Sequence, residues 1–535
     1  MKKLPIGLQA FSELINQNCV YVDKTKDIYE LIQGNYIFFS RPRRFGKSLL
    51  CSTLQELFSG NRDLFRGLWI DQNTDYSWPI HPVIYLDLSM TSSDSPKELK
   101  DSLIENLNCI ARFYKLDEIV SSSPGGILQE IVVKLKEKFG QNVVIIIDEY
   151  DSPIISHIED LQKSKELQEV LKVFYTYIKG LGQHLRFVFI TGITRFSKTS
   201  IFSGLNQLDN ISMDSKFAHL VGYTKDEINL YFHEHLQEIA AKDKISVGKD
   251  VEEIKNMLHV WYNGYFFCSK SQEVKGKELA RLHTPFSILN FLHKADFRNY
   301  WFESGTPTFL IKVLKQKQYP IESFDNLEAS ANELMSFDIE NIPLSSLLFQ
   351  TGYVTIKDYD FESKNYLLEM PNYEVKDSLL KCILVSMTRQ DESVINAELV
   401  GLRKALEAGD LDAFIDKIKK FYITIPYTIA IDSEKYYQTI FFVFLHLINL
   451  NPKVEIATNI GRIDLLVKTS KILYLFEFKL NSSAKSALQQ ILDKKYYEVY
   501  QQKNKNVNNL QIKLVGINFS SDEKNITEYL SQDLA

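Results

Sequence analysis

Three groups of residues in this chain have the types and spacing to do chemistry. The first is Arg41-Pro42-Arg43-Arg44-Phe45-Gly46-Lys47-Ser48, which follows the apolar run Ile37-Phe38-Phe39. An apolar strand, a short loop and a helix start, in that order, turn backbone N–H groups toward an anion. Lys47 is placed to reach outer phosphates and Ser48 to hold a magnesium ion. Arg44, Phe45, Gly46 and Leu49 complete the cradle. Arg41 stands where the GxxxxGK[ST] pattern has its first glycine. Taken alone, a Gly-Lys-Ser at a helix start is also compatible with a plain turn and cap.

The second group is Asp148-Glu149, at the carboxyl end of Val143-Val144-Ile145-Ile146-Ile147. Such an unbroken β-branched run suits a strand buried on both faces of a parallel sheet. Open α/β sheets place ligands at that end. Asp148 is then the magnesium-side carboxylate, directly or through an intervening group. Glu149 is placed to orient and deprotonate an attacking water. The run Phe187–Thr191 continues into Gly-Ile-Thr-Arg, which puts Arg195 on the same sheet edge, where a cation can sense a terminal phosphate. The plainer alternatives are a solvated loop start for the acids and a surface ion pair for the arginine.

The third group is Asp464 in IGRIDLLV with Glu477 and Lys479 in ILYLFEFKL. Glu477 and Lys479 are two apart and share a strand face. A turn at Lys468-Thr469-Ser470-Lys471 lets the two strands pair, bringing Asp464 to Glu477 across thirteen positions. Two carboxylates at one point repel unless a cation joins them. Oxygen ligands with open positions favour Mg²⁺ or Mn²⁺. A lysine beside such an ion helps position or deprotonate a water for attack on a phosphodiester. Glu434, at the head of the apolar helical stretch 434–446, adds a flanking carboxylate. Alternating charge on a strand can also be only a solvated face.

The elements around these groups follow from pattern. The segment 1–35 carries an amphipathic helix, and Tyr21-Val22-Asp23-Lys24-Thr25 reads as a turn and helix cap. Val83–Leu88 is a further strand, and 96–140 reads as helical up to Gly140. Residues 215–375 have helical periodicity and aromatic clusters that suit a core better than a base-stacking platform. Thr224 with Glu227 forms a capping box, and Pro285 begins a helix. Two strand-like stretches ending near 375 form a hairpin. Residues 376–430 are mostly helical, with Leu399–Tyr422 as the clearest helix. The domains expected are 1–215, 216–375 and 376–535.

With 535 residues the chain is too long for one core. It is 45% hydrophobic and 24% charged, and its net charge of -6 requires any nucleic-acid contact to be local. The five cysteines form no CxxC or Cys/His cluster, which argues against a zinc site or disulfide framework and fits a reducing cytoplasm. No signal peptide is expected at the start, and the apolar stretch near 440–450 is too short to span a bilayer.

IFFSRPRRFGKSLL, VVIIIDEYDSPI and FITGITRFSKTSIFSGLN together resemble the bacterial AAA-ATPase-like family, whose members carry the same RPRRFGKS loop. The resemblance implies a P-loop NTPase of the ASCE type, with an extra strand between the two nucleotide-binding strands. It also implies ATP and Mg²⁺ binding by Lys47, Ser48, Asp148 and Glu149, a sensor role for Arg195, and a helical, winged-helix-like region at 216–375. GRIDLLV, EFK and SALQQI resemble the PD-(D/E)XK nuclease superfamily, a restriction-endonuclease-like α/β fold. That likeness implies catalysis by Asp464, Glu477 and Lys479, with Gln490 near the site (Gln489 is the weaker candidate) and Glu434 as the first-helix carboxylate. Ile463 replaces the proline before Asp464. The expectation is a cytoplasmic ATPase coupled to a Mg²⁺-dependent nuclease acting on DNA, with RNA and self-association left open and no membrane contact. The alternative is a nucleotide-dependent switch whose C-terminal domain binds nucleic acid or a partner without cleaving.

Overall fold

The computed structural model describes residues 1–196, 201–202, 205, 207–241, 250–268, 280–302, 310, 327–388, 391–424, 434–448, 450, 452–458, 461–495, 497–498, 500 and 510–534. The chain forms two compact units, residues 1–304 with 326–375, and residues 305–325 with 376–535. Residues 216–304 and 326–375, read from sequence as parts of a separate region, lie in one unit with the first 215.

The first unit is built on a parallel sheet. Its strands are β1 (Tyr36–Ser40), β2 (Val83–Asp87), β3 (Val143–Asp148), β4 (Leu185–Gly192) and β5 (Asp209–Asn210), in the order β2-β3-β4-β1-β5. Every neighbouring pair is parallel. β4 intervenes between β1 and β3, which is the inserted strand of the ASCE arrangement. All six residues of β3 are buried, as its β-branched run requires. Parallel pairing needs long crossovers, and these are helical. The helices Lys47–Phe58 and Pro124–Phe139 both pack on β3.

The stretch 96–140 is two helices, Pro96–Phe113 and Pro124–Phe139, and not the single helical run its periodicity suggests. Ser123 caps the second helix, Pro124 starts it, and Gly140 ends it at φ +63°. The first helix stops in a left-handed turn at Lys115, φ +49°, where the Leu116 N–H donates back to the Ala111 carbonyl at 3.0 Å.

Helices Lys225–Tyr231, His233–Ala241, Val251–Tyr262 and Pro285–Lys294 share a core that includes Phe232, Leu236, Tyr262, Phe291 and Tyr300. The aromatic clusters are thus interior. The Thr224–Glu227 capping box is present, and Pro285 is the first residue of its helix. The hairpin joins β7 (Thr355–Asp360) to β8 (Asn365–Glu369), and β6 (Leu327–Ser330) adds a third antiparallel strand on the far side of β8.

The second unit has a mixed sheet of β9 (Lys453–Thr458), β10 (Gly461–Lys468), β11 (Ile472–Leu480), β12 (Gln511–Ser520) and β13 (Asn525–Leu534), in chain order across the sheet. Only β11 and β12 run parallel, and the helix Ala484–Lys494 lies between them in sequence. Leu399–Tyr422 is split between two helices, Glu392–Ala408 and Leu411–Thr424. Gly409 at φ +81° ends the first, and the Asp410 carboxylate accepts the Ala413 N–H to start the second.

Candidate active sites

β1 delivers the chain to the phosphate loop, and Gly46 turns it into the Lys47–Phe58 helix at φ +98°, a backbone region that favours glycine. Arg44 also has positive φ, +68°. Other parts of the same unit hold the loop in that shape. The Trp301 indole donates to the Arg43 carbonyl at 3.2 Å, and the Gly222 N–H donates to the Phe45 carbonyl at 3.2 Å. The Arg44 guanidinium donates to the Tyr300 carbonyl and lies 3.8 Å from the Phe286 ring centre. The Phe45 ring sits edge-on to Tyr265 and Phe267, at 4.8 and 5.5 Å. Packing supplies here the conformational restriction that glycines usually permit.

Lys47 is buried. Its ammonium donates to the Pro42 carbonyl at 3.3 Å and lies 3.5 Å from Glu149 Oε1. Ser48 hydrogen-bonds Asp148, which has no solvent exposure. Burial pushes the Asp148 carboxyl up to about 6, against the Ser48 hydrogen bond and with help from the Glu149 charge. Glu149 has φ +49°, and its N–H donates to Asp148 Oδ1 at 2.9 Å. A non-glycine residue in that region costs of order 1 kcal/mol, a strain seen mostly at functional positions.

A cavity of about 490 Å³ opens from the loop. Arg44, Phe45, Gly46, Lys47, Ser48, Leu49 and Glu149 form one end. Pro5, Ile6, Tyr21, Val22, Val221, Phe286 and Leu289 form an apolar remainder. Asp148 lies behind Ser48 and does not line it. Arg195 does not line it either, so the sensor approach expected of that residue is not seen. Its N–H donates to Gln350 Oε1 at 2.8 Å, and the residue borders a separate small cavity with Ser40 and Arg41.

In the second unit, Leu465 pairs with Phe476, so Asp464 and Glu477 stand opposite each other one step further along. Asp464 Oδ2 accepts the Phe478 N–H at 2.9 Å. Glu477 is 1% exposed. Gln490 donates to its Oε1, and Lys479 Nζ lies 3.6 Å from the same atom. Glu477 Oε2 is buried with no hydrogen-bond partner. Burial, helped by the Asp464 charge and opposed by Lys479, pushes this carboxyl up to about 8. Gln490 reaches the site because its helix lies close on the sheet at Gly516, which stands beside Glu477 in the β11–β12 register. A Cβ at Gly516 would sit 2.4 Å from the Ala484 carbonyl oxygen and 2.5 Å from the Leu488 nitrogen. Gln489 instead donates to Asp493 at the surface.

Residues 5–202 match the model of the predicted AAA-ATPase family, and residues 432–529 match that of the PD-(D/E)XK nuclease superfamily. A protein of Azotobacter chroococcum mcd 1, described as an uncharacterized protein in the vnfD 5′ region, is 33% identical over 544 residues, covering 100% of this chain and 99% of that one. The chain belongs to the predicted AAA-ATPase family, with a C-terminal PD-(D/E)XK nuclease superfamily domain. The crystal structure of Cdc6p from Pyrobaculum aerophilum is also similar, at 12% identity over 65% of this chain and 86% of that one. Its TM-score of 0.22 is too low to bear on the fold.

The PD-(D/E)XK domain gathers Asp464, Glu477, Lys479 and Gln490, but not Glu434. Glu434 opens the helix Glu434–Leu447, and its Oε1 accepts from Gln438 at 3.1 Å. Phe441 of that helix packs on Phe476 and Phe478, which alternate with Glu477 and so face the other side of the sheet. Among the described residues no three His, Cys, Asp or Glu side chains come together as a metal-holding group. The two-carboxylate set still fits Mg²⁺, which commonly takes one or two carboxylates and keeps several waters. The unpartnered Glu477 Oε2 beside Asp464 is the oxygen such an ion would satisfy.

In the AAA-ATPase domain, sequence reasoning overlooked Asp151. This buried carboxylate accepts the Ile193 and Thr194 N–H groups and the Thr194 hydroxyl, tying the turn after β3 to the end of β4. A third acid in IDEYD was its visible signal. The segment at 21–25 forms the turn into the helix Thr25–Leu31, but the N-cap is Lys24, without a side-chain cap, and Asp23 Oδ1 accepts the Thr25 N–H at 2.8 Å from the position before it. Tyr21, Val22 and Lys24 also line the large cavity. None of the described helices is long and apolar enough to cross a membrane.

Proposed function

We propose that the AAA-ATPase domain binds and hydrolyses ATP with Mg²⁺, and that the PD-(D/E)XK domain uses a divalent ion to cleave phosphodiesters, DNA foremost, under control of the nucleotide state. The observation that carries the nuclease reading is the buried Glu477 beside Asp464, with Lys479 and Gln490 on one of its oxygens and nothing on the other. A module that only binds nucleic acid has no use for a desolvated carboxylate pair with a lysine at its side.

At the nucleotide site, the N–H groups at the start of the Lys47–Phe58 helix and the Lys47 ammonium hold phosphate oxygens, while the apolar end of the cavity receives the base. Ser48 and Asp148 are the groups that would hold Mg²⁺, which would neutralise charge on the phosphates. Glu149, standing 3.5 Å from Lys47, orients the attacking water and takes its proton. At the nuclease site, Asp464 and Glu477 would hold Mg²⁺ or Mn²⁺, which would supply Lewis-acid chemistry to the phosphodiester. Lys479 positions the water, and Gln490 fixes the Glu477 carboxylate.

The test is cleavage of plasmid, single-stranded DNA and RNA by the full chain, with Mg²⁺ or Mn²⁺, with and without ATP. Asp464→Ala is expected to abolish cleavage, and Lys47→Ala to abolish nucleotide binding together with any effect of ATP on cleavage. Absence of cleavage under every condition moves the assignment to a nucleotide-dependent binding switch. Unchanged nucleotide affinity in Lys47→Ala refutes the nucleotide site.

A further inference from the structure

The residue in the place of the loop's first glycine is a buried cation. Arg41 is 2% exposed, and its guanidinium lies between the rings of Phe39 and Phe267, at 4.5 and 4.3 Å from their centres. Its Nη1 donates to the carbonyls of Ser40 and Ser212. Its Nε and Nη2 are buried and have no hydrogen-bond partner. Arg41 forms no ion pair with any described residue. Its one titratable neighbour of note is the Cys268 thiol, which burial pushes up to about 11 and so keeps neutral. Desolvated charge with unmade hydrogen bonds is among the costliest features a fold can carry.

Arg41 lines a cavity of about 20 Å³, and Arg195 lines the same cavity, with Ser40, Ser212 and Gln350 as its polar neighbours. Arg195 also lacks an ion pair with a described residue. The titratable group it feels is the Tyr150 phenol, which burial holds neutral. Two cationic residues border one small space and no described carboxylate lines it, so the desolvated Arg41 charge stays without a counter-ion unless an anion lies there. The space admits one water-sized occupant, since a cavity needs roughly 10–15 Å³ of this measure for a single water. A phosphate or a carboxylic acid is too large. Neither arginine lines the nucleotide cavity, so a nucleotide's phosphates do not supply the missing charge.

We propose that a halide ion, chloride under ordinary conditions, binds behind the phosphate loop between Arg41 and Arg195. The ion accepts from the free N–H groups of Arg41 and links the end of β1 to the segment that follows β4. The site stands independently of the ATPase and nuclease assignments.

Two measurements test it on the full chain. Crystals grown in or soaked with bromide are expected to show an anomalous peak in the cavity lined by Arg41 and Arg195. In solution, replacing gluconate by chloride at constant ionic strength is expected to raise the Tm of the N-terminal unit by about 2 °C per tenfold rise once the site is filling. Arg195→Gln, which keeps a donor and loses the charge, is expected to abolish that response. An ordered water without anomalous signal overturns the proposal, and so does a chloride response that persists in Arg195→Gln. The bromide measurement needs no variant, so failure of Arg195→Gln to fold leaves the proposal exposed to refutation.

Discussion

Replacing Glu477 by glutamine keeps the shape of the side chain and the oxygen that receives Gln490, while removing the buried acid. In the folded metal-free protein this carboxyl titrates at about 8, against an ordinary 4.5. Between those values the folded state holds a proton that the unfolded chain has released. Rising pH therefore favours unfolding. The stabilisation is full below pH 4.5 and is lost as pH passes through 8, at about 1.4 kcal/mol per pH unit, for a total of about 5 kcal/mol. Burial pushes Asp148 and Asp151 up to about 6 as well, so they contribute with the same sign at lower pH, but equally in both proteins. The wild type is thus expected to lose about 2 kcal/mol relative to Glu477→Gln between pH 6 and 8 in EDTA. All four tryptophans (Trp69, Trp78, Trp261 and Trp301) lie in the other unit, so their fluorescence does not report this one. Hydrogen exchange on peptides from β10 and β11 does, and 2 kcal/mol corresponds to roughly thirtyfold in protection. Mg²⁺ at pH 8 is expected to restore wild-type protection and to leave the variant unchanged. Parallel pH profiles for the two proteins in EDTA refute the reasoning.

Three further outcomes are expected. Glu149→Gln retains Mg²⁺-ATP affinity and loses at least about a hundredfold in single-turnover hydrolysis, so a variant that hydrolyses normally removes Glu149 from the role of base. Gly516→Ala sets a methyl against the backbone of the Ala484–Lys494 helix, costing about 1–3 kcal/mol in urea unfolding and weakening metal affinity as Gln490 withdraws from Glu477. Phe286→Ala opens the apolar end of the nucleotide cavity and weakens nucleotide binding about tenfold by equilibrium titration, with little change in turnover of bound nucleotide.

Local pattern made much of this protein legible. The strand, loop and helix around Gly46-Lys47-Ser48 are contiguous, so their order alone defines a phosphate cradle. Period-two alternation puts Glu477 and Lys479 on one face, and the tight turn through Thr469–Ile472 sets the register that places Asp464 opposite Glu477. Helix breaks were harder to see, because the apolar period continues through Gly409 and Asp410 although the backbone turns there.

What the sequence by itself determined is the set of elements and the side chains that share a face within each, because helix and strand periods act over a few residues. The tertiary structure decided everything that depends on which distant surfaces meet. It built the apolar end of the nucleotide cavity from residues near 5, 21, 221 and 286. It placed the Glu434 helix against the sheet face away from Glu477, and it set Arg195 at a small cavity bordered by Arg41 and outside the nucleotide cavity. It also set the protonation of Glu477, because desolvation is a property of everything packed around a carboxyl and not of its neighbours in sequence.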